Sequence, residues 1–210
     1  MKSKSQLIGD ISGKTVLLAY DDPQYKLEIV TGIIGENAKM GQQVQYLDFD
    51  LQFSSLLRNL SIAEKEKFAG ISVFPYLTDD INDIFSISQL SNQGGIVVLD
   101  TFNTLQNLML MGNLGDSVVA NHRTAVVIST LEELTRFYSK TLLILSLTRS
   151  RPRKTSEATL WERDIIGGRM TRFKSDLMLY ARVTIMNGKR AVSIDALFPK
   201  ENGSYELSTD

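Results

Sequence analysis

Lys26 and its neighbours hold the residue types best placed for phosphate chemistry. Lys26 stands in Tyr20-Asp-Asp-Pro-Gln-Tyr-Lys-Leu27, after an apolar run and before a helical pattern. A phosphate-cradling loop at such a place uses glycines, which let backbone N–H groups wrap the phosphates, a lysine for charge, and a Ser or Thr hydroxyl for magnesium. With Lys26 set on that lysine, Tyr20 and Tyr25 occupy the glycine positions and Leu27 the hydroxyl position. A Cβ at the glycine positions closes the positive-φ geometry the loop uses. Asp21 and Asp22 add negative charge, so only the lysine matches. The same residues also suit an ordinary strand–helix turn. Ser12-Gly-Lys-Thr15 ends like a phosphate loop, but it precedes an apolar run and has Ile8 where the first glycine belongs. His122, the one histidine, has no partner at metal-ligand spacing, and no metal site is expected. No Gly-x-Ser-x-Gly elbow and no cysteine occur, so neither a serine elbow nor thiol chemistry is available.

The second feature with chemical content is basic. The 23 Lys and Arg nearly balance 24 Asp and Glu over 210 residues, but the balance is uneven. From Arg149 to Lys174 eight basic residues face three acidic ones, a surplus of five, which leaves −6 over the rest of the chain. Arg149, Arg151, Arg153, Lys154, Arg169 and Arg172 lie in this stretch, with the only tryptophan, Trp161, and Phe173 among them. Cations interleaved with aromatics can neutralise phosphates and stack bases of a single strand. A solvated loop, or a contact with an acidic neighbouring subunit, uses the same charge. Thr148 to Ser156 is polar and broken by Pro152, and it reads as a mobile loop.

The elements that must position these residues follow from periodicity. Strands are expected at 15–20, 44–48, 70–74, 95–100 and 141–146, and helices at 28–39, 54–68 and 79–92, with one long helix or two over 116–139. Gln106 to Gly115, apolar and Met-rich, reads as a loop that is either a partner surface or core. Near the C-terminus, Asn187-Gly188 between the apolar segments 176–185 and 190–195 signals an antiparallel hairpin. The alternation predicts an α/β fold with a mostly parallel sheet and that hairpin at its end. One domain over 1–210 is the expectation for this length. The chain shows no secretory signal and no membrane-length apolar run, which points to the cytoplasm and away from membranes.

Several landmarks together resemble the core of the RecA/RadA recombinase superfamily, including its RadB-type and KaiC-like members, over roughly residues 12–200. Tyr46-Leu-Asp-Phe-Asp50 looks like the second core strand, with Asp50 at the place of the catalytic glutamate. Ile96-Val-Val-Leu-Asp-Thr-Phe-Asn-Thr-Leu105 is similar to the Walker B segment, with Asp100 as its aspartate and Thr101 in the hydroxyl place. Leu142 to Arg149 resembles the nucleotide-sensing strand, with Thr148-Arg149 in place of Asn-Gln. Ile166-Gly-Gly-Arg169 and Ser175-Asp-Leu-Met-Leu179 resemble the Gly-Gly turn and the strand after it. The resemblance implies a RecA-like three-layer sandwich and makes the basic stretch the second DNA-binding loop.

The departures from that pattern bear on activity. Loop glycines, hydroxyl ligand, glutamate and sensor amide are all altered together, and catalysis of this type depends on positioned donors and Mg²⁺ around the γ-phosphate. The expectation is a pseudo-ATPase with no cofactor, in which Lys26, Asp50 and Asp100 are vestigial. It would bind single-stranded nucleic acid through Arg149, Arg151, Arg153, Lys154, Trp161, Arg169 and Arg172, or modulate a recombinase, in DNA recombination or repair. The alternatives are a scaffold subunit of a RecA-fold ring or heteromer, and an NTPase working ATP and magnesium with a degenerate loop. A homo- or hetero-oligomer is expected in each case, with filament formation disfavoured because only about a dozen residues precede the first strand.

Overall fold

The computed structural model describes residues 2–75, 95–113, 115–154, 159–165, 174–186, 189–200 and 203–208. Elements appear in the order α1 (Lys4–Ile11), β1 (Thr15–Tyr20), α2 (Lys26–Lys39), β2 (Val44–Asp48), α3 (Gln52–Asn59), α4 (Ile62–Lys65) and β3 (Ile71–Pro75). Then come β4 (Ile96–Asp100), α5 (Phe102–Gly112), α6 (Ser117–Phe137), β5 (Thr141–Lys154), β6 (Thr159–Ile165), β7 (Leu177–Met186), β8 (Lys189–Phe198) and β9 (Ser204–Ser208). The sheet runs β3-β2-β4-β5-β1-β7-β8-β9, with β6 paired to β5. Strands β3 to β7 along this path are parallel, and β8 and β9 close it antiparallel.

All six residues of β1 are buried because helices cover both faces of the sheet. Val16, Leu18 and Tyr20 pack with α1 and α2 residues such as Leu7, Ile33 and Ile34, while Leu17 and Ala19 face Leu105, Met109, Val127 and Leu131 of α5 and α6. Period-two alternation thus feeds two cores from one strand. Gly95, at φ +98°, lets β4 start against β2: a Cβ there would come 2.3 Å from the Gln43 carbonyl oxygen. This α/β sheet with antiparallel C-terminal strands is the architecture expected from the sequence.

Four local expectations change. The helix expected over 54–68 is divided, because Leu60 is extended and Ser61 with Glu64 forms a capping box that starts α4. The Met-rich stretch 106–115 is mostly helix, burying Met109 while Met111 is 75% exposed. The segment expected to be a mobile loop continues β5 to Lys154, since β6 supplies its antiparallel partner. Strand β9 and helix α1 were not anticipated; they are tied together by Tyr205, whose hydroxyl donates to Asp10 at 2.7 Å. The helix expected over 79–92 lies outside the described residues, as do the Asn187-Gly188 turn and the Gly-Gly turn. No described helix is long and apolar enough to cross a membrane.

Candidate functional site

The carboxyl ends of parallel strands are where open α/β sheets gather ligands, and here they gather charge. β2 ends in Asp48 and β4 in Asp100, and the two are register partners. Asp50 follows on the bend after β2, ahead of Leu51, whose φ is +61°. Across from them the chain leaves β1, makes a short 3-10 turn at Pro23–Tyr25 capped by the Asp22 carboxylate, and enters α2 at Lys26. Tyr180 of β7 holds the turn by donating its hydroxyl to Asp21 at 2.7 Å.

Lys26 is fully buried, and its ammonium points into the strand ends. It donates to Asp50 Oδ2 at 2.6 Å and to Asp100 Oδ1 and Oδ2 at 2.9 and 2.7 Å. An ammonium has three donors, and these contacts account for all of them. The Tyr46 hydroxyl also donates to Asp100 Oδ2. Asp50 accepts from the Gln52 N–H at 3.2 Å and keeps 19% side-chain exposure. Asp48 Oδ2 accepts from the Ser54 N–H at 2.6 Å, whereas Asp48 Oδ1 and Ser54 Oγ, both buried, meet no hydrogen-bond partner among the described residues. Burial, reinforced by Asp50, pushes the Asp100 carboxyl up to about 6 against the opposing pull of Lys26. The Tyr20 and Tyr46 phenols are pushed up by burial and by the charges of Asp100 and Asp50. One carboxylate oxygen each from Asp48, Asp50 and Asp100 lies within 4.8 Å of the others.

The residues around this cluster have structural duties. Thr101 caps α5 by accepting from the Thr104 N–H. Asn103 accepts from the Leu147 N–H at 2.9 Å, where β5 leaves the main sheet. His122 is exposed on α6. Two surface grooves, of about 520 and 330 Å³, run along α2 against residues 56–70, and none of Lys26, Asp48, Asp50 or Asp100 lines either.

The basic segment forms an arm. From Thr148 to Lys154, β5 pairs with β6 in regular antiparallel register. Arg149, Arg151 and Arg153 stand opposite Asp164, Glu162 and Leu160; Ser150, Pro152 and Lys154 stand opposite Arg163, Trp161 and Thr159. Opposed residues share a face and successive ones alternate. Arg149 approaches Asp164 at 3.8 Å with both side chains partly exposed. Of the expected nucleic-acid residues, Arg149, Arg151, Arg153 and Lys154 lie on β5 and Trp161 on β6, while Arg169 and Arg172 lie outside the described residues.

Lys26, Asp50 and Asp100, named from the sequence as vestigial candidates, come together at the strand ends. Asp48 and Tyr46 were missed as site residues because each reads as part of an apolar strand; the signal available was that two adjacent strands both end in Asp.

No family model matches the chain, and no curated protein matches it. Among solved structures, it is similar to a KaiC-like protein from the hyperthermophilic archaeon Pyrococcus horikoshii OT3, at 13% identity with a TM-score of 0.57, over 94% of this chain and 90% of that one. At that identity the likeness speaks to fold. Strand order and this likeness agree on a RecA-like α/β fold.

Proposed function

We propose that the protein is a non-hydrolysing RecA-type paralogue that binds single-stranded nucleic acid through the β5–β6 arm, in service of DNA recombination or repair. The observation that carries the first half is the engagement of Lys26: its ammonium is spent on Asp50 and Asp100 inside the fold. A phosphate reaching this turn would find no glycine amide cradle in residues 20–27, no hydroxyl at Leu27, and the carboxylates of Asp21 and Asp22. Magnesium–nucleotide does not fit these residues, so no catalytic step is assigned to them.

The second half is supported by the surplus of five positive charges over 149–174 and by the β5–β6 pairing that sets Pro152 opposite Trp161 and Lys154 opposite Thr159. Cations would neutralise phosphates and the indole would stack on a base. A scaffold subunit of a RecA-fold ring or heteromer is the second reading. It draws on the same register, which sets basic positions opposite acidic ones, Arg149 with Asp164 and Arg151 with Glu162.

Calorimetry with ATP and Mg²⁺, beside fluorescence anisotropy of a single-stranded oligonucleotide over a salt series, tests the proposal. The expected result is no nucleotide heat, with affinity falling steeply as salt rises. Trp161→Ala is expected to weaken binding by about ten-fold, within the range of one base–aromatic stack. Turnover of ATP by the wild-type protein would overturn the non-hydrolysing reading. A flat salt response, or no binding at low salt, would remove the nucleic-acid reading, and stable co-purification with a RecA-fold partner would then favour the scaffold.

A further inference from the structure

We infer that the outer face of α6 is a two-fold interface, on which a second copy of this chain packs its own α6 antiparallel. From Val119, the residues 4, 7, 11, 14 and 18 positions further on are Arg123, Val126, Thr130, Glu133 and Phe137. Those spacings return to one side of a helix with about 3.6 residues per turn. It is not the side that packs on the sheet, which is built from residues such as Val127 and Leu131. Val119 and Val126 are each 40% exposed and Phe137 is 80% exposed, and Arg123 and Glu133 are exposed as well. The result is an apolar line about 27 Å long, from the rise of about 1.5 Å per helical residue, with one cation and one anion set into it. Large apolar side chains lined up in water along one helix are a surface that gains by being covered. The inference rests on neither half of the function proposed above.

The order of these residues selects the occupant. In a closed two-fold pair one patch serves both copies, so where one residue meets a second, the second meets the first. Antiparallel α6 helices crossing at position 128 set Val119 against Phe137 of the second copy, Arg123 against Glu133 and Val126 against Thr130, each pair occurring twice. Position 128 lies midway in all three pairs. Apolar side chains thus cover each other and each charge meets its opposite, which is the complementarity that fixes register in an interface. A parallel pairing would put Arg123 on Arg123 and Glu133 on Glu133, and like charges so placed repel. A nucleic-acid strand laid along the same face would bring its phosphates to Glu133, so a polyanion is disfavoured there.

Sedimentation velocity of the full chain over a concentration series, free of nucleic acid, tests the inference. The wild type is expected to dimerise reversibly. Arg123→Glu and Glu133→Arg should each weaken the dimer by about ten-fold or more, since like charges then face each other twice. Carrying both substitutions in one chain, or mixing the two single variants, puts opposite charges back at both places and should restore the dimer. Val126→Asp should leave monomer, with circular dichroism unchanged because the position is on the surface. A wild type that stays monomeric at every concentration, self-association only on added oligonucleotide, or an assembly that Val126→Asp leaves intact would each overturn the inference. Single-charge variants that associate as tightly as wild type, or that the swap fails to rescue, would do the same.

Discussion

The strand-end cluster and the β5–β6 arm both gather charge, and they handle it in opposite ways. At the strand ends Lys26 and Asp100 are fully buried and joined by bonds of 2.7 to 2.9 Å. On the arm, Arg149 and Asp164 approach only to 3.8 Å, with side chains 48% and 25% exposed. Water solvates and salt screens the second pair, so its geometry is loosely held. The first has lost its water, and a partner left behind would be an unpaired buried charge. Buried charge is therefore a structural commitment here, while the arm's charge stays in contact with solvent.

The contrast is broken or sharpened most strongly by Lys26→Met. Removing the ammonium strands Asp50 and Asp100, and chemical denaturation should report a loss of about 3–5 kcal/mol. A loss under about 1 kcal/mol would place the cluster in the same class as the arm.

Next in size is a pH effect. The folded Asp100 carboxyl sits at about 6, above its ordinary 3.8, so the native state takes up a proton before the unfolded chain does. That contribution to stability is full below 3.8 and is lost as pH rises through 6. Wild-type stability measured against Asp100→Asn should thus rise by about 1 kcal/mol between pH 7 and pH 5. A difference that stays level over this range, or falls, would contradict the assigned burial of Asp100.

The smallest effect belongs to the arm. Arg149→Gln should change stability by less than about 0.5 kcal/mol, and the change should vanish in high salt. The cost of Lys26→Met should persist there. Parallel denaturant melts at low and high ionic strength compare the two directly.

Much of the fold was legible because its signals are local. The apolar runs 15–20 and 44–48 are strands with those bounds, and the Ser61-Ile-Ala-Glu64 box that divides the expected helix is itself a sequence signal. Phe102, Leu105 and Met109 recur at helical spacing, which outweighs the loop reading of their Met-rich surroundings. The arm misled for a different reason. Pro152 reads as a breaker, yet a strand paired outside the main sheet tolerates a missing donor. That pairing depends on residues 159–165, and nothing within 148–154 announces it.

The alternating elements, the segregation of charge and the misfit of Tyr20 to Leu27 with a phosphate loop are all readable in the chain, since each is a property of neighbouring residues. Tertiary structure decided where the charges go. Lys26 meets Asp50 across 24 residues and Asp100 across 74, and the register of β2 with β4 sets Asp48 beside Asp100. Composition allows such meetings without specifying them. Strand register and desolvation choose among them, because the arrangement at the strand ends gives the buried ammonium three carboxylate acceptors.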